Sequence, residues 1–387
     1  MLVENEQTAR LRERLIQLTR DLVLIESTDD RPGERKRCFQ LIRNHLDEIP
    51  GLCIESFEKN GYESLVVLPE GVREPAVLFC AHLDVIHHPD PESYRSEVRD
   101  GKIFGPGAGD MKGQLAIIVE MFRSFGRRGL FPDGLSAGLA ITSDEERGGE
   151  NGVRFLIEDV GLRCGTAIIP DGGSLDEIII AEKGILHLRL TSHGMSAHAA
   201  RPWLGDNALD HLLSDIAAVR SLFGEGPTAG RNEAERWVAT CTPTMLSTPN
   251  DSPNRIPETA SVTLDIRLVP PLATEEMLAR IRRSVSPQTE VEPLITAEST
   301  ELKPDKDFIR LAEEVVGKPP RLTKTSGGSD GRFFCAKGIP VIISRPDVGN
   351  LHGHDEWIGI DSMLSYHEIC RRYAILRGSE KRGTGQS

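Results

Sequence analysis

The sequence predicts an α/β protein with a mostly parallel sheet, interrupted by an inserted α+β module. Short apolar runs alternate with helical stretches up to about residue 184, which is typical of a parallel sheet with crossover helices. Segments that alternate apolar and polar residues come next, and the first pattern returns after about residue 298. The predicted domains are therefore 1–183 together with 298–387, and an inserted domain at 184–297.

The first part begins with an amphipathic helix over 8–27, because leucines recur at three- and four-residue steps in it. A second helix is predicted over 34–48. Four short strands, each rich in β-forming residues and ended by turn or polar residues, are predicted at 64–69, 76–82, 137–143 and 166–170. Helices at 111–127 and 152–159 lie between them.

The inserted part combines strands with one solvent-facing side and two helices. Its strands are predicted at 185–192, 236–246 and 259–269, and its helices at about 205–222 and 274–285. Residues 224–235 predict a surface loop. The α/β pattern then resumes with a helix at 305–316, a buried strand at 338–344 and a final helix at 361–377.

Composition excludes several classes of protein. The 387 residues carry a net charge of −13, which argues against nucleic-acid and anionic-membrane partners. No window of 18 apolar residues predicts a transmembrane helix, and the first residues lack the apolar core of a signal peptide. The 7 cysteines are odd in number and form no C-x-x-C pair, so we expect reduced thiols and a cytoplasmic protein.

Acidic residues and histidines follow the predicted strands at the point where each strand ends. In an open α/β sheet, ligands bind outside the carboxyl ends of the strands, so we expect these side chains to share one crevice. They are His82 and Asp84, Glu145 and Glu146, Asp171, and His352 across a short loop.

Histidine with carboxylates is a ligand set for a divalent metal such as Zn²⁺, and the excess of carboxylates suggests two metals with a shared ligand. The candidate bridge is Asp110 in GPGAGDMKG. Each residue alone has a structural alternative: a helix cap for Asp110, a solvated loop for Glu145 and Glu146, a turn for Asp171, and an exposed position for His352. Their joint occurrence after successive strands favours the metal site.

Seven motifs in order carry a resemblance to a known family. They are AHLDV (81–85), DGKIFGPGAGDMKG (100–113), TSDEERGG (142–149), HGMSAHAARPWLGDNA (193–208), NRIP (254–257), GGSDGRFF (327–334) and HGHDEW (352–357). With them the chain resembles, from about residue 10 to 377, the metal-dependent amidohydrolases and exopeptidases that include succinyl-diaminopimelate desuccinylase, acetylornithine deacetylase and carboxypeptidase G. The resemblance implies a zinc-exopeptidase-like catalytic domain with an inserted dimerisation domain.

The resemblance also implies roles for the residues of the crevice. Two divalent ions, Zn²⁺ or alternatively Co²⁺ or Mn²⁺, would be held by His82 and Asp171 at one site and by Glu146 and His352 at the other, with Asp110 bridging them. Asp84 would fix the tautomer of His82. Glu145 would be the general base that takes a proton from the metal-activated water and passes it to the leaving amine. His354 is the alternative to His352.

Further roles implied by the resemblance fall on substrate contacts. His198 would reach the partner subunit's site and stabilise an oxyanion, although an exposed histidine is the structural alternative. Asn254 and Arg267 would contact the carboxylate or amide of the substrate, and Arg267 could equally pair with a structural carboxylate. Ser329 would line the pocket or cap a helix.

The function implied is that of a homodimeric, metal-dependent hydrolase that cleaves the amide bond of an N-acyl amino acid. An exopeptidase or dipeptidase is the alternative, because Asp171 stands where deacylases of the family more often have Glu. A catalytically silent metal- or ligand-binding protein is disfavoured, since the base and all presumed ligands are present. Pro106 replaces an Arg of many members, which fixes the loop before Asp110.

Overall fold

The computed structural model describes residues 6–224 and 237–379. The chain divides into two units. The first contains the chain up to Ile180, Leu302–Thr323 and the chain from Ser329, and the second contains Ala181–Glu301 and Lys324–Gly328. The predicted fold class is confirmed, with a mostly parallel central sheet and separate antiparallel sheets. The loop predicted at 224–235 lies, apart from its first residue, outside the described residues.

The helices are numbered along the described chain. They are α1 (Glu6–Val23), α2 (Pro32–Leu46), α3 (Gly113–Arg127), α4 (Val153–Glu158), α5 (Ala208–Ser221), α6 (Thr274–Ser284), α7 (Lys306–Val316), α8 (Gly331–Ala336) and α9 (Ile360–Gly378). Within the part of the chain that the structure describes, none is both long and apolar enough to cross a membrane.

The strands are numbered in the same way. They are β1 (Leu52–Lys59), β2 (Tyr62–Pro69), β3 (Val77–His82), β4 (Glu97–Arg99), β5 (Lys102–Phe104), β6 (Ala137–Thr142), β7 (Thr166–Ile169), β8 (Glu177–Glu182), β9 (Gly184–His193), β10 (Thr240–Ser247), β11 (Thr259–Leu268), β12 (Thr289–Ala297), β13 (Thr300–Glu301), β14 (Arg321–Thr325), β15 (Val341–Ile343), β16 (Val348–Gly349) and β17 (Trp357–Gly359).

The main sheet of the first unit has the order β1-β2-β6-β3-β7-β15-β8. Its four central strands, β6, β3, β7 and β15, run parallel, and antiparallel strands flank them. Strands β3 and β6 are buried over their whole length because helices cover both faces. Phe79 packs in the core that contains α3 and α9, whereas Leu78 and Cys80 pack in the core that contains α4.

Helix α1 ends at Val23, four residues before its predicted end. The next residues make tertiary hydrogen bonds instead. The Ile25 carbonyl accepts a hydrogen bond of 2.6 Å from the buried ammonium of Lys112, and the Ser27 hydroxyl donates to the Leu83 carbonyl at 2.6 Å. The buried Ile25 that suggested a longer helix is therefore part of the core beside the chain that follows β3.

A small sheet with the order β16-β17-β5-β4 also belongs to the first unit. No sequence pattern predicts this sheet, because its strands have only two or three residues. Strand β5 pairs with β17, with Ile103 opposite Ile358, and this pairing brings the chain before Asp110 next to the chain after His352.

The second unit contains an antiparallel sheet with the order β10-β11-β9-β12 and the helices α5 and α6. Strand β11 alternates buried and half-buried residues, as the sequence pattern predicted. Strand β12 was not predicted, since its apolar residues do not alternate regularly with polar ones and Pro293 lies where its register shifts.

Candidate metal centre

The predicted polar residues lie where the parallel strands end. His82 is the last residue of β3, Glu145 lies three residues beyond β6, and Asp171 lies two residues beyond β7. His352 follows β16, and Asp110 lies in the turn Ala108–Lys112 that precedes α3. Because parallel strands end at one edge of a sheet, residues far apart in sequence meet there.

Six of these residues form two groups. Ligand-capable atoms of His82, Glu145 and Asp171 all lie within 4.8 Å of one another, and we call these residues the first group. The second group, with the same spacing, consists of Asp110, Glu146 and His352.

Asp110 belongs to the second group and also reaches the first. Its Oδ1 atom is 3.3 Å from Nε2 of His82, and its Oδ2 atom is 3.4 Å from Nε2 of His352. His352 Nε2 is also 3.2 Å from Oε1 of Glu146. One carboxylate thus presents an oxygen to a histidine of each group.

The chemistry of these atoms fits a divalent cation. The Nδ1 atom of His82 lies 3.0 Å from the main-chain oxygen of Asp84 and donates to it, which leaves Nε2 as an acceptor. That Nε2 atom and Oδ1 of Asp110 are buried and have no hydrogen-bond partner within the described ranges. Two acceptors that face each other need a positive charge between them, and imidazole with carboxylate is a set that Zn²⁺ prefers.

The pKa values reflect the concentration of negative charge. Burial acts to raise the pKa of Asp110, but the imidazoles of His352 and His82 beside its carboxylate outweigh burial and hold this pKa far below its usual value. Hydrogen bonds to Asp110 and Glu146 raise the pKa of His352 to about 10. Burial raises the pKa of Glu145 well above its usual value, and three nearby carboxylates add to the effect: Asp171, Asp330 and Asp110.

Asp84 holds residues of both groups in position. Its carboxylate accepts hydrogen bonds from the backbone N–H groups of Glu145 and Glu146, at 3.3 and 3.0 Å, and Oδ1 lies 3.5 Å from Nδ1 of His82. Asp84 therefore fixes the loop after β6 and the imidazole after β3 at the same time.

Glu356 is a supporting residue to which the sequence analysis gave no role. Its Oε1 atom accepts hydrogen bonds from the backbone N–H groups of Gly109 and Asp110, at 2.8 and 3.0 Å, and its Oε2 atom accepts one from the backbone N–H of His352 at 3.4 Å. Burial raises the pKa of Glu356 to about 7. The sequence signalled this residue only by its four-residue spacing from His352.

Arg345 is a second residue that the sequence analysis missed. It follows β15, which runs parallel beside β7, so it emerges next to Asp171. Its Nη1 atom is 3.6 Å from Oδ1 of Asp171, and its Nε–H donates to the Gly173 carbonyl at 3.3 Å. The position after a strand end, which located the acidic residues and histidines, is also the sequence signal that locates Arg345.

His198 and Asn254 lie together on the second unit. The backbone N–H of Ala199 donates to the Asn254 carbonyl at 2.8 Å, and His198 is exposed. The Nδ1 atom of His198 accepts from the N–H of Ala200 at 3.1 Å, which leaves Nε2 as the N–H donor of a neutral ring.

Arg267 and Ser329 occupy positions that match their structural alternatives, and His354 lies outside both ligand groups. Arg267 forms two hydrogen bonds with Asp265, at 2.8 and 3.1 Å. Ser329 is buried, and its hydroxyl oxygen accepts from the N–H of Gly331 at the start of α8. His354 is exposed and belongs to neither group of ligand-capable residues.

Comparisons with known proteins agree on one family. The model of peptidase family M20/M25/M40 matches residues 78–375. The chain is 28% identical over 328 residues to a succinyl-diaminopimelate desuccinylase of Alkalilimnicola ehrlichii, a match that covers 78% of this chain and 85% of that protein.

Two solved structures show the same fold at low identity. An M20 family metallo-carboxypeptidase from Sulfolobus solfataricus superposes with a TM-score of 0.76 at 17% identity, over 97% of this chain and 100% of that one. A dinuclear metal-binding peptidase of the same family from Bacillus subtilis superposes with a TM-score of 0.65 at 15% identity, over 96% and 100%.

The contacts of Glu356 predict that Glu356→Gln weakens metal binding. An amide nitrogen donates where a carboxylate oxygen accepts, so at least one of the three backbone N–H groups loses its acceptor. We expect the affinity for Zn²⁺ to fall by about 10–100-fold, as is usual when a residue that supports metal ligands is replaced. Competition with a chelator of known affinity measures this change. Glu276→Gln, on the exposed surface of α6, is the matched control, and equal affinities in the two variants would contradict the role of Glu356.

Proposed function

The chain belongs to peptidase family M20/M25/M40 and is a metal-dependent hydrolase of amide bonds; from this premise we propose that its substrate is an N-acyl amino acid. The observation that carries the chemistry is the pair of ligand groups, which Asp110 of the second group links through its contact with His82. The observation that favours the acyl substrate is the similarity, over most of both chains, to a protein named for removing a succinyl group.

His82 and Asp171 would hold one cation, Glu146 and His352 would hold the other, and Asp110 would contact both. Zn²⁺ is the proposed metal, since imidazole and carboxylate ligands suit it, and Co²⁺ or Mn²⁺ are the alternatives. When bound, two such ions supply Lewis acidity to the scissile carbonyl and to the attacking water.

Glu145 is the proposed general base. Its carboxylate would take a proton from the attacking water and return it to the departing nitrogen. The raised pKa of Glu145 supports this role, because burial and neighbouring carboxylates make its carboxylate a stronger proton acceptor. Asp84 would keep Glu145 and His82 in place, since it binds the backbone N–H of the first and lies beside the imidazole of the second.

His198 is proposed to donate from Nε2 to the oxyanion in the partner subunit's site. Its exposure and its tautomer, set by the Ala200 N–H, both support a donor role. Asn254 and Ser329 are proposed substrate contacts. Arg267 would need to exchange its pairing with Asp265 to reach a substrate carboxylate.

A panel of substrates tests the proposed activity. After chelator treatment and re-addition of Zn²⁺, Co²⁺ or Mn²⁺, we expect metal-restored hydrolysis of N-acetyl or N-succinyl amino acids. Release of free amine, measured by chromatography, reports the reaction. Cleavage of dipeptides alone would favour the exopeptidase alternative, which the Asp at position 171 suggests. No turnover with two bound metals would contradict the substrate class.

The role of Glu145 predicts a separation of metal binding from turnover. Glu145→Ala should keep two metals, measured by elemental mass spectrometry, while kcat falls by about 100-fold or more, as is usual for loss of a general base. Asp171→Ala is the comparison variant and should lose metal. Metal loss in Glu145→Ala would instead make Glu145 a ligand, in keeping with its place in the first group.

A homodimer formed by the second unit is the proposed assembly. Strand β10 is an edge strand of its sheet, and most of its residues are exposed. Its apolar residues Met245 and Leu246 are 69% and 59% exposed. An uncovered apolar edge strand is a typical site for association.

Leu246→Glu should therefore yield a monomer, because a charge on this edge opposes pairing with a second copy. Light scattering after size exclusion measures the mass. Leu294→Glu, on the opposite edge strand β12, is the control and should remain dimeric. A wild-type protein that is monomeric and fully active would remove His198 from the mechanism.

A further inference from the structure

Arg345 places a positive charge beside the first group. Its Nη1 atom lies 3.6 Å from Oδ1 of Asp171, and the two side chains are only 15% and 13% exposed. The Nε–H of the same guanidinium donates to the Gly173 carbonyl at 3.3 Å, so Arg345 contacts the loop of Asp171 at two points. A guanidinium does not lose its proton in proteins, and its charge is therefore permanent.

The second group has no neighbour of this kind. Asp110 and Glu146 form ion pairs with His82 and His352, and the described ranges contain no lysine or arginine within 4.0 Å of their carboxylates. A histidine binds a metal ion as a neutral imidazole, so any positive charge on these rings is lost with the proton when a cation enters. The charge of Arg345 cannot be lost in this way.

A cation at the first group would meet this permanent charge. Asp171 would bind the cation and the guanidinium at the same time, and the two positive charges would repel each other. Water and salt screen repulsion between mostly buried charges less than repulsion at the surface. Protons indicate the size of the effect, because an arginine beside an aspartate lowers the affinity of that carboxylate for a proton by about 10–1000-fold.

The loop of Asp171 has attachments other than the guanidinium. The Ser344 hydroxyl donates to the Ser174 carbonyl at 3.2 Å, and the backbone N–H of Leu175 donates to the Asp347 carboxylate at 3.3 Å. Loss of the neighbouring positive charge is therefore expected to change the electrostatics at Asp171 more than its position.

We propose that Arg345 weakens the binding of the cation at the first group. This inference rests on the proposed function and deepens it, since it concerns how tightly one of the two proposed cations is held. The ion held by His82 and Asp171 would exchange with free metal more readily than its ligands alone allow. Its occupancy would therefore follow the concentration of free metal.

The alternative is that Arg345 only supports the loop, and this role has the opposite sign. Loss of a residue that only holds a metal ligand in place lowers the affinity for the metal, usually by about 10–100-fold. Repulsion predicts that loss of Arg345 raises the affinity instead. The direction of the change therefore separates the two roles.

Three variants of Arg345 separate its charge from its support of the loop. Arg345→Met removes the charge at similar length, Arg345→Gln removes the charge but keeps an N–H donor, and Arg345→Lys keeps the charge. Arg310→Met is the matched control, because Arg310 also pairs with an aspartate, Asp307, but within α7, where its side chain is 50% exposed. Calorimetric titration of the chelator-treated full chain with Zn²⁺ measures the two binding events, and Asp171→Ala identifies the event that belongs to the first group.

We expect Arg345→Met and Arg345→Gln to raise the Zn²⁺ affinity of the first group by about tenfold or more, because the repulsion is removed. The affinity of the second group should stay near its wild-type value in both variants. Arg345→Lys should stay close to wild type, and Arg310→Met should match it. Elemental mass spectrometry should show that the two uncharged variants retain two metals at a lower concentration of free Zn²⁺ than wild type does.

Two outcomes would overturn the inference. Unchanged affinity in Arg345→Met and Arg345→Gln would mean that the cation does not experience the charge, and lower affinity in both would mean that Arg345 holds Asp171 in place instead. The titration needs no turnover. A protein that hydrolyses nothing in the panel but shows the Arg345 effect would refute the proposed activity alone, and a two-metal hydrolase without the effect would refute the role of Arg345 alone.

Discussion

The crevice depends on one electrostatic constraint: several carboxylates are packed together in a poorly solvated place, and their charge has to be balanced. Asp110 shows the constraint most clearly, since its two oxygens face two histidines from opposite groups. Burial of like charges is unfavourable unless cations or protons accompany them. The shifted pKa values of Glu145 and His352 are the response of the protein side chains to this charge. The same charge makes the crevice suitable for divalent ions.

The ligands stay in this unfavourable arrangement because other carboxylates hold their backbones. Asp84 binds the N–H groups of the loop after β6, and Glu356 binds those of the turn before α3 and of His352. Each of these residues uses its acceptor capacity on fixed N–H donors rather than on solvent. The site is thus built from an inner layer that would bind cations and an outer layer that sets its shape.

Periodicity and the positions of strand ends were sufficient to predict the parallel strands and the convergence of His82, Glu146, Asp171 and His352, whereas Asp110 was found through its glycine-rich segment. Buried strands read as apolar runs, and parallel strands end at one edge of the sheet. Sequence patterns did not predict the end of α1, the short strands β4, β5, β16 and β17, or strand β12. Tertiary contacts rather than the local pattern determine these elements.

The roles of the supporting residues could not be predicted from the sequence for a related reason. Arg345 and Glu356 act through the residues that they hold, so their positions in the sequence did not by themselves indicate a role.

The stretch 344–352 reaches both ligand groups within nine residues. At its start, Ser344 and Arg345 hold the loop of Asp171 through hydrogen bonds to Ser174 and Gly173, and at its end it supplies His352. The length of this stretch therefore sets the distance between the loop of Asp171 and His352. Natural variation in this stretch is consequently expected to preserve its length more strictly than its residue identities. One inserted or deleted residue would displace either Arg345 or His352 by about 3.5 Å. Loops that contact only one ligand group can therefore be changed in length more freely when the crevice is redesigned.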